Sequence, residues 1–279
     1  MTKVTIGDAL GTGFDIDGGS LGPWDGDAEL AVAGTARLGD GMTRVTYGIE
    51  GTGYALLADM DLAAAPAVAL RFRVVDSAAR EILSVTGLRA SADALSGGLD
   101  DLLGGRDTLT GNRFDDVLRG YGDDDTLLGG AGRDTLVGGG GADRLEGGAG
   151  ADRLLGDAGA DRLWGGLAAD RLDPGRDAAA DVLVFRAAAE SGPRARDTVV
   201  RFDRGEDRID LRALDAHPDR GDDAFGWGGR TRGDGDVWWA RGDGGVILRA
   251  DLAGDGDTAP DLEILLTGLT SLGRGDLWL

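Results

Sequence analysis

Aspartate recurs at 107, 116, 125, 134, 143, 152, 161 and 170, an unbroken period of nine residues. Carboxylates at a fixed spacing can solvate a surface or converge on a cation. Two residues after each acid stands a leucine: Leu109, Leu118, Leu127, Leu136, Leu145, Leu154, Leu163 and Leu172. Glycine opens seven successive units, at 111, 120, 129, 138, 147, 156 and 165. Units 129–137, 138–146 and 147–155 read G-G-x-G-x-D-x-L-x at every position. So regular a period marks a repeat architecture, in which a unit buries its apolar residue by stacking on its neighbours.

The chemistry follows from the residue types. Gly-Gly-x-Gly makes a turn whose backbone can enter positive φ without a steric cost and can bring carbonyl oxygens together. The x-Leu-x triplet suits a very short strand with its leucine on one face. Eighteen residues then return the chain to the same side, about 4.8 Å further along. The expected pairs are Asp107 with Asp125, Asp116 with Asp134, Asp125 with Asp143, Asp134 with Asp152, Asp143 with Asp161, and Asp152 with Asp170.

Carboxylates so close repel unless a hard cation lies between them. Turn carbonyls then complete an all-oxygen shell, and Gly130, Gly132, Gly139, Gly141, Gly148 and Gly150 are the candidate donors beside the eight aspartates. Calcium (Ca2+), which takes about 6–8 oxygens in flexible geometry, suits this better than magnesium, which holds to a tight octahedron. Zinc would want His or Cys, and the repeats contain neither. Up to six calcium positions are predicted, weakest at the ends. A metal-free Asp-Gly turn array is the alternative reading.

These units resemble the RTX (hemolysin-type) calcium-binding nonapeptide, and the resemblance implies a parallel β-roll. Phe114, Asp123 and Ala168 depart from glycine at the fourth unit position, and Tyr121 and Asp157 at the second. Arg144, Arg153, Arg162 and Arg171 hold the seventh position in four successive units. They should point outward, as an anion-binding strip or as a solvating offset to the acids.

Composition narrows the classes. The chain has 29 basic and 50 acidic residues, a net charge of −21, which disfavours nucleic acid and anionic membrane surfaces as partners. It has no cysteine, so neither disulfides nor thiolate metal sites arise. No apolar run approaches the roughly 20 residues of a membrane span. The opening MTKVTIGDALGTG lacks the apolar core of a cleaved N-terminal signal.

After Asp173 the period stops, and DVLVF (181–185), DTVVRFD (197–203), DRIDL (207–211), VWWA (237–240), GVILRADL (245–252) and LEILLTGL (262–269) read as strands. This region, quoted through "SGPRARDTVVRFDRGEDRIDL" and "ADLAGDGDTAPDLEILLTGLTSL", resembles the C-terminal domain of serralysin-type secreted proteases. In that family the stretch matching Asp251–Asp261 is a tighter D-x-N-G-D-G motif. Here Ala253 stands in place of a side-chain ligand. The ending Asp276-Leu277-Trp278-Leu279 resembles the uncleaved tail of type I secretion substrates, and implies that export apparatus as a partner. A last strand docked on the cap fits the same residues.

The protease resemblance does not reach catalysis. H-E-x-x-H is absent, and the one histidine, His217, lies in the loop ALDAHPD. GGSLG (18–22) fits a nucleophile motif, but Pro23 stands where its helix should begin. Residues 1–96 alternate and turn like about five antiparallel strands, with no family apparent.

The fold expected is therefore all-β: an N-terminal antiparallel β domain (1–96), a parallel β-roll of nonapeptide repeats (97–173) and a C-terminal β cap (174–279). The function expected is that of a secreted, extracellular, non-enzymatic calcium-binding protein whose N-terminal domain binds an unidentified ligand. The alternative is a secreted hydrolase with a carboxylate site in 1–96, from Asp15, Asp17, Asp25 and Asp27. R-G-D at 220–222, 232–234, 241–243 and 274–276 raises adhesion as a variant of the first.

Overall fold

Alternating apolar and polar residues between 30 and 91 build five strands: β1 (Leu30–Arg37), β2 (Thr43–Ile49), β3 (Ala55–Asp61), β4 (Val68–Val75) and β5 (Glu81–Ser91). The structure, a computed structural model, describes the backbone of these strands, and residues 105–214, 224–231, 236–242, 244–252 and 259–279 in full. The chain divides into two compact units, Met1–Asp143 and Arg144–Leu279.

In the first unit β1 to β5 pair antiparallel, each with the next. Four strands of the repeats follow: β6 (Thr108–Thr110), β7 (Val117–Gly122), β8 (Thr126–Ala131) and β9 (Thr135–Gly140). Period nine places odd and even strands on opposite sheets. β6 therefore pairs in parallel with β8, Leu109 beside Leu127, and β7 with β9, Leu118 beside Leu136. These leucines are fully buried. They form the ladder of a β-roll.

The second unit repeats the pattern with β10 (Arg144–Ala149), β11 (Arg153–Ala158), β12 (Arg162–Leu167) and β13 (Arg171–Gly175). Its ladders pair Leu145 with Leu163 and Leu154 with Leu172. The strands are longer than the predicted triplet, running six residues from the seventh position into the next unit's glycines. Glycine allows this because parallel neighbours approach closely there, as at Gly148 beside Gly166.

The cap continues both sheets. β14 (Val182–Val184), β16 (Arg208–Asp210) and β21 (Leu277–Trp278) extend the β10–β12 sheet in parallel. β15 (Asp197–Val199) and β20 (Leu262–Thr267) extend the β11–β13 sheet, and β19 (Gly245–Ala250) and β18 (Asp236–Gly242) then return antiparallel. β17 (Gly226–Gly229) adds a short edge strand that its sequence, GWGG, does not announce. Leu183, Phe185, Val199, Ile209, Leu248, Ile264 and Leu266 fill this core. Among the described residues no helix is long and apolar enough to cross a membrane.

Candidate metal centre

Each repeat aspartate sits at the foot of its strand, and all eight are at most 3 % exposed. The stacking register is visible in their hydrogen bonds. Asp107 N–H donates to Asp125 Oδ1 (2.7 Å), Asp116 N–H to Asp134 Oδ1 (2.8 Å), Asp125 N–H to Asp143 Oδ1 (2.8 Å) and Asp152 N–H to Asp170 Oδ1 (2.8 Å). One carboxylate oxygen thus ties each of these four rungs to its partner. The other points inward: Oδ2 of Asp125 and of Asp170 is buried and has no hydrogen-bond partner, and Asp107 has none on either oxygen.

The glycine that opens each unit explains where that second oxygen goes. A Cβ added at Gly147 would stand 2.5 Å from both Asp152 Oδ2 and the Gly165 carbonyl. Gly111 faces Asp116 Oδ2 and the Gly129 carbonyl, Gly120 faces Asp125 Oδ2 and the Gly138 carbonyl, and Gly156 faces Asp161 Oδ2 and the Pro174 carbonyl. A carboxylate oxygen and a carbonyl oxygen therefore converge over a position that only glycine leaves open. These opening-position carbonyls are donors that the reading of the repeat missed. Among the described residues no three acidic, cysteine or histidine side chains converge on one point. At these four positions the second oxygen beside the carboxylate is a backbone carbonyl.

The six glycines proposed as carbonyl donors all have positive φ, between 107° and 132°. Gly132 illustrates the constraint: an added Cβ would strike the Phe114 carbonyl carbon and oxygen, one rung back, at 2.5 Å. The departures from consensus pay a conformational cost instead. Tyr121, Asp123, Asp157 and Ala168 are held at φ of 71°, 63°, 70° and 92°, where L-residues are disfavoured. Phe114 avoids this region, its N–H donating to Asn112 Oδ1 at 3.0 Å.

Burial dominates the electrostatics of the ladder. It pushes the Asp125 carboxyl up to about 8, with Asp143, Asp107 and Asp123 adding repulsion. Burial likewise raises Asp107 to about 7, with Asp123 adding, and Asp170 to about 6, with Glu190 adding. These are carboxylates placed where their charge has too little compensation from the protein.

The ladder does not end where the period ends. Asp161 N–H donates to Asp181 Oδ1 (2.8 Å), Asp170 N–H to Asp197 Oδ1 (2.8 Å) and Asp181 N–H to Asp207 Oδ1 (3.2 Å). The steps are 20, 27 and 26 residues instead of 18. Asp197 is fully buried, its Oδ2 has no hydrogen-bond partner, and burial pushes it up to about 9. A local signal survives: Asp181-Val182-Leu183, Asp197-Thr198-Val199 and Asp207-Arg208-Ile209 keep the D-x-apolar core of the repeat.

Other candidate residues fall as follows. Arg144 stands beside Arg162 and Arg153 beside Arg171, the outward rows expected. Arg144 pairs with Glu146, and Arg162 with Asp210 at 3.3 Å, so this row neutralises local acids. Asp251 is buried, and Leu252 N–H donates to Asp261 Oδ2 at 2.7 Å. Residues 253–258, including Ala253, lie outside the described residues. So do His217, the GGSLG stretch, Asp15, Asp17, Asp25, Asp27 and the first two R-G-D copies. In the fourth copy Asp276 is buried, accepting from Gly273 N–H (2.7 Å), Arg204 Nε (3.0 Å) and Gly205 N–H (3.2 Å). That carboxylate is not offered to an adhesion partner.

The family model described as the RTX calcium-binding nonapeptide repeat (4 copies) matches residues 103–136 and 137–172. This stretch is an RTX repeat array. No curated protein matches the chain. Among solved structures, the chain is similar to two subunits of the Azotobacter vinelandii mannuronan C5-epimerase, studied in solution. AlgE6R2 is 24 % identical, covering 61 % of this chain and 91 % of its own, with a TM-score of 0.40. AlgE6R3 is 28 % identical, covering 56 % and 77 %, with a TM-score of 0.31.

The donor set fits calcium: hard oxygen from carboxylate and carbonyl, and unpartnered buried oxygens facing a cradle that a methyl group would fill. Gly147→Ala tests the cradle cleanly, because Gly147 is not among the residues at positive φ. The added Cβ should cost about 1–3 kcal/mol by overpacking and raise the calcium midpoint of folding about tenfold or more. An unchanged midpoint by calcium-titrated circular dichroism would show that no ion uses this space.

Proposed function

We infer that this is a secreted, non-enzymatic calcium-binding protein whose β-roll folds when extracellular calcium fills the aspartate ladder. The observation that carries this reading is the buried, unpartnered Oδ2 of Asp125, which faces the open space at Gly120 together with the Gly138 carbonyl. The Oδ2 of Asp170, also buried and unpartnered, faces the open space at Gly165. Asp107, Asp116, Asp125, Asp134, Asp143, Asp152, Asp161 and Asp170 act as the carboxylate ligands, with Asp197 extending the set. Turn carbonyls complete each shell, those of the opening residues together with Gly130, Gly132, Gly139, Gly141, Gly148 and Gly150.

The ion's contribution is charge: it makes a buried pair of carboxylates attractive instead of repulsive. The chain's residues do the rest, the glycines opening the space and the leucines fixing the rung spacing. Export by a type I apparatus suits a chain that stays unfolded where calcium is scarce, with the segment Asp276–Leu279 as its address. The carboxylate hydrolase alternative rests wholly on residues outside the described ones, and no described observation favours it.

Equilibrium dialysis against calcium tests the binding. Several ions per chain, weakly held at about 10⁻⁴–10⁻³ M as in extracellular modules, are expected. Fewer than one ion per chain at millimolar calcium would overturn the reading. Retention in the producing cell of a variant lacking Asp276–Leu279 tests the address, and undiminished secretion would remove it.

A further inference from the structure

The N-terminal strands and the first repeats form one continuous sheet. β5 lies antiparallel to β6, with Ser84 opposite Thr110, Val85 opposite Leu109 and Thr86 opposite Thr108. The other edge of β6 carries β8 in parallel. Among the described residues β1 to β5 pair only with one another and, through β5, with β6. β6 is three residues long, too short to stand without a partner on each side. Whatever holds β6 to β8 therefore also holds the N-terminal sheet to the roll.

That hold runs through Asp107. Its N–H donates to Asp125 Oδ1 at 2.7 Å, and its carbonyl accepts from Thr126 N–H at 2.9 Å. A second backbone bond, Gly111 N–H to the Leu128 carbonyl at 2.8 Å, closes the far end of the strand. Yet the Asp107 carboxylate is itself 2 % exposed, and neither of its oxygens has a hydrogen-bond partner. A buried, uncompensated carboxylate opposes the closure that the backbone bonds favour. The rung is built to shut on a cation.

We propose that this first rung is a calcium-dependent seam: an ion at Asp107 and Asp125 closes β6 onto β8, and β5 then has a strand edge on which to assemble. The inference rests on the calcium reading above and extends it to residues 30–91. The N-terminal sheet is assembled where calcium is plentiful and withheld where it is scarce, so whatever the N-terminal domain binds is bound under calcium control. The seam also gives Asp107 a role that its place at the ragged end of the repeat conceals. Losing it spares the central rungs and releases the N-terminal sheet.

Hydrogen–deuterium exchange on the full chain, as calcium is raised, reads both parts at once. In the wild type, peptides covering 68–75 and 81–91 should gain protection at the same midpoint as 108–110. In Asp107→Ala at saturating calcium, 135–140 should stay protected while 81–91 exchange about tenfold faster or more. Protection of 81–91 that persists in chelator while 117–140 lose theirs would overturn the seam and leave the calcium reading intact. Exchange of 117–140 that ignores calcium would overturn that reading, and the seam with it. The wild-type titration decides between these outcomes even where the variant does not fold.

Discussion

In excess chelator at about pH 9 the repeat segment is expected to lose its β-signal, and millimolar calcium to restore it. Residues 99–173 carry 16 acids and 8 arginines, a net −8. The eight repeat aspartates among those acids are buried at the feet of their strands. Against this stands a thin core of one fully buried leucine per nine residues, in a segment rich in the residue that loses most backbone freedom on folding. Cations change the balance by mass action, each site adding RT ln(1 + [L]/Kd). Because neighbouring rungs share carboxylates, filling one site favours the next.

The register gives the mutational corollary. Asp143 accepts from Asp125 N–H, and the eighteen-residue spacing of the sequence predicts a second cation position that draws on it. Asp107 serves only the first rung. Asp143→Ala should therefore raise the calcium midpoint of the roll about tenfold, and Asp107→Ala no more than about twofold. Circular dichroism of the two variants across calcium concentration measures this. Equal midpoints would refute the stacking register, and a full β-signal in chelator at about pH 9 would refute the mechanism.

Acid should do part of calcium's work. Burial raises the carboxyls of Asp107, Asp125, Asp181 and Asp197 to about 7, 8, 7 and 9, with neighbouring acids contributing. An unfolded aspartate titrates near 3.9, so between about pH 4 and pH 9 the folded, calcium-free chain binds more protons than the unfolded one. The resulting stability is fully present below the unfolded value and is lost progressively as pH rises from about 4 to about 9. Calcium-free protein should thus recover β-signal near about pH 5 and lose it again by about pH 9. Conversely, calcium must displace these protons, so its midpoint should fall by roughly tenfold per pH unit for each proton released. A midpoint that does not move between about pH 6 and pH 8, or no proton release on binding in weak buffer, would contradict the burial of these carboxylates.

The repeat itself was legible because its physics is local. A nine-residue period sets the alternation between two sheets, the eighteen-residue register and the inward leucines, and Leu109 to Leu172 take those places. The strands of the N-terminal sheet were legible in the same way, from alternation. Even the departures were informative: four of the five non-glycine residues singled out, Tyr121, Asp123, Asp157 and Ala168, occupy left-handed backbone.

Long-range geometry decided the rest. Asp181, Asp197 and Asp207 join the ladder after connections of unequal length, and a period cannot report a rung whose loop has grown. The cradle carbonyls come from the opening residues because that is where two turns, eighteen residues apart, press together. The tail Leu277–Trp278 is a strand because β16 leaves it an edge. The joining of β5 to β6 was invisible for the same reason: each strand satisfies its own alternation, and nothing in either sequence names the other as its partner. Local residue types chose the elements and the metal chemistry. Which elements share an edge, and therefore which of them calcium can control, was settled when backbone hydrogen bonds found their partners across the fold.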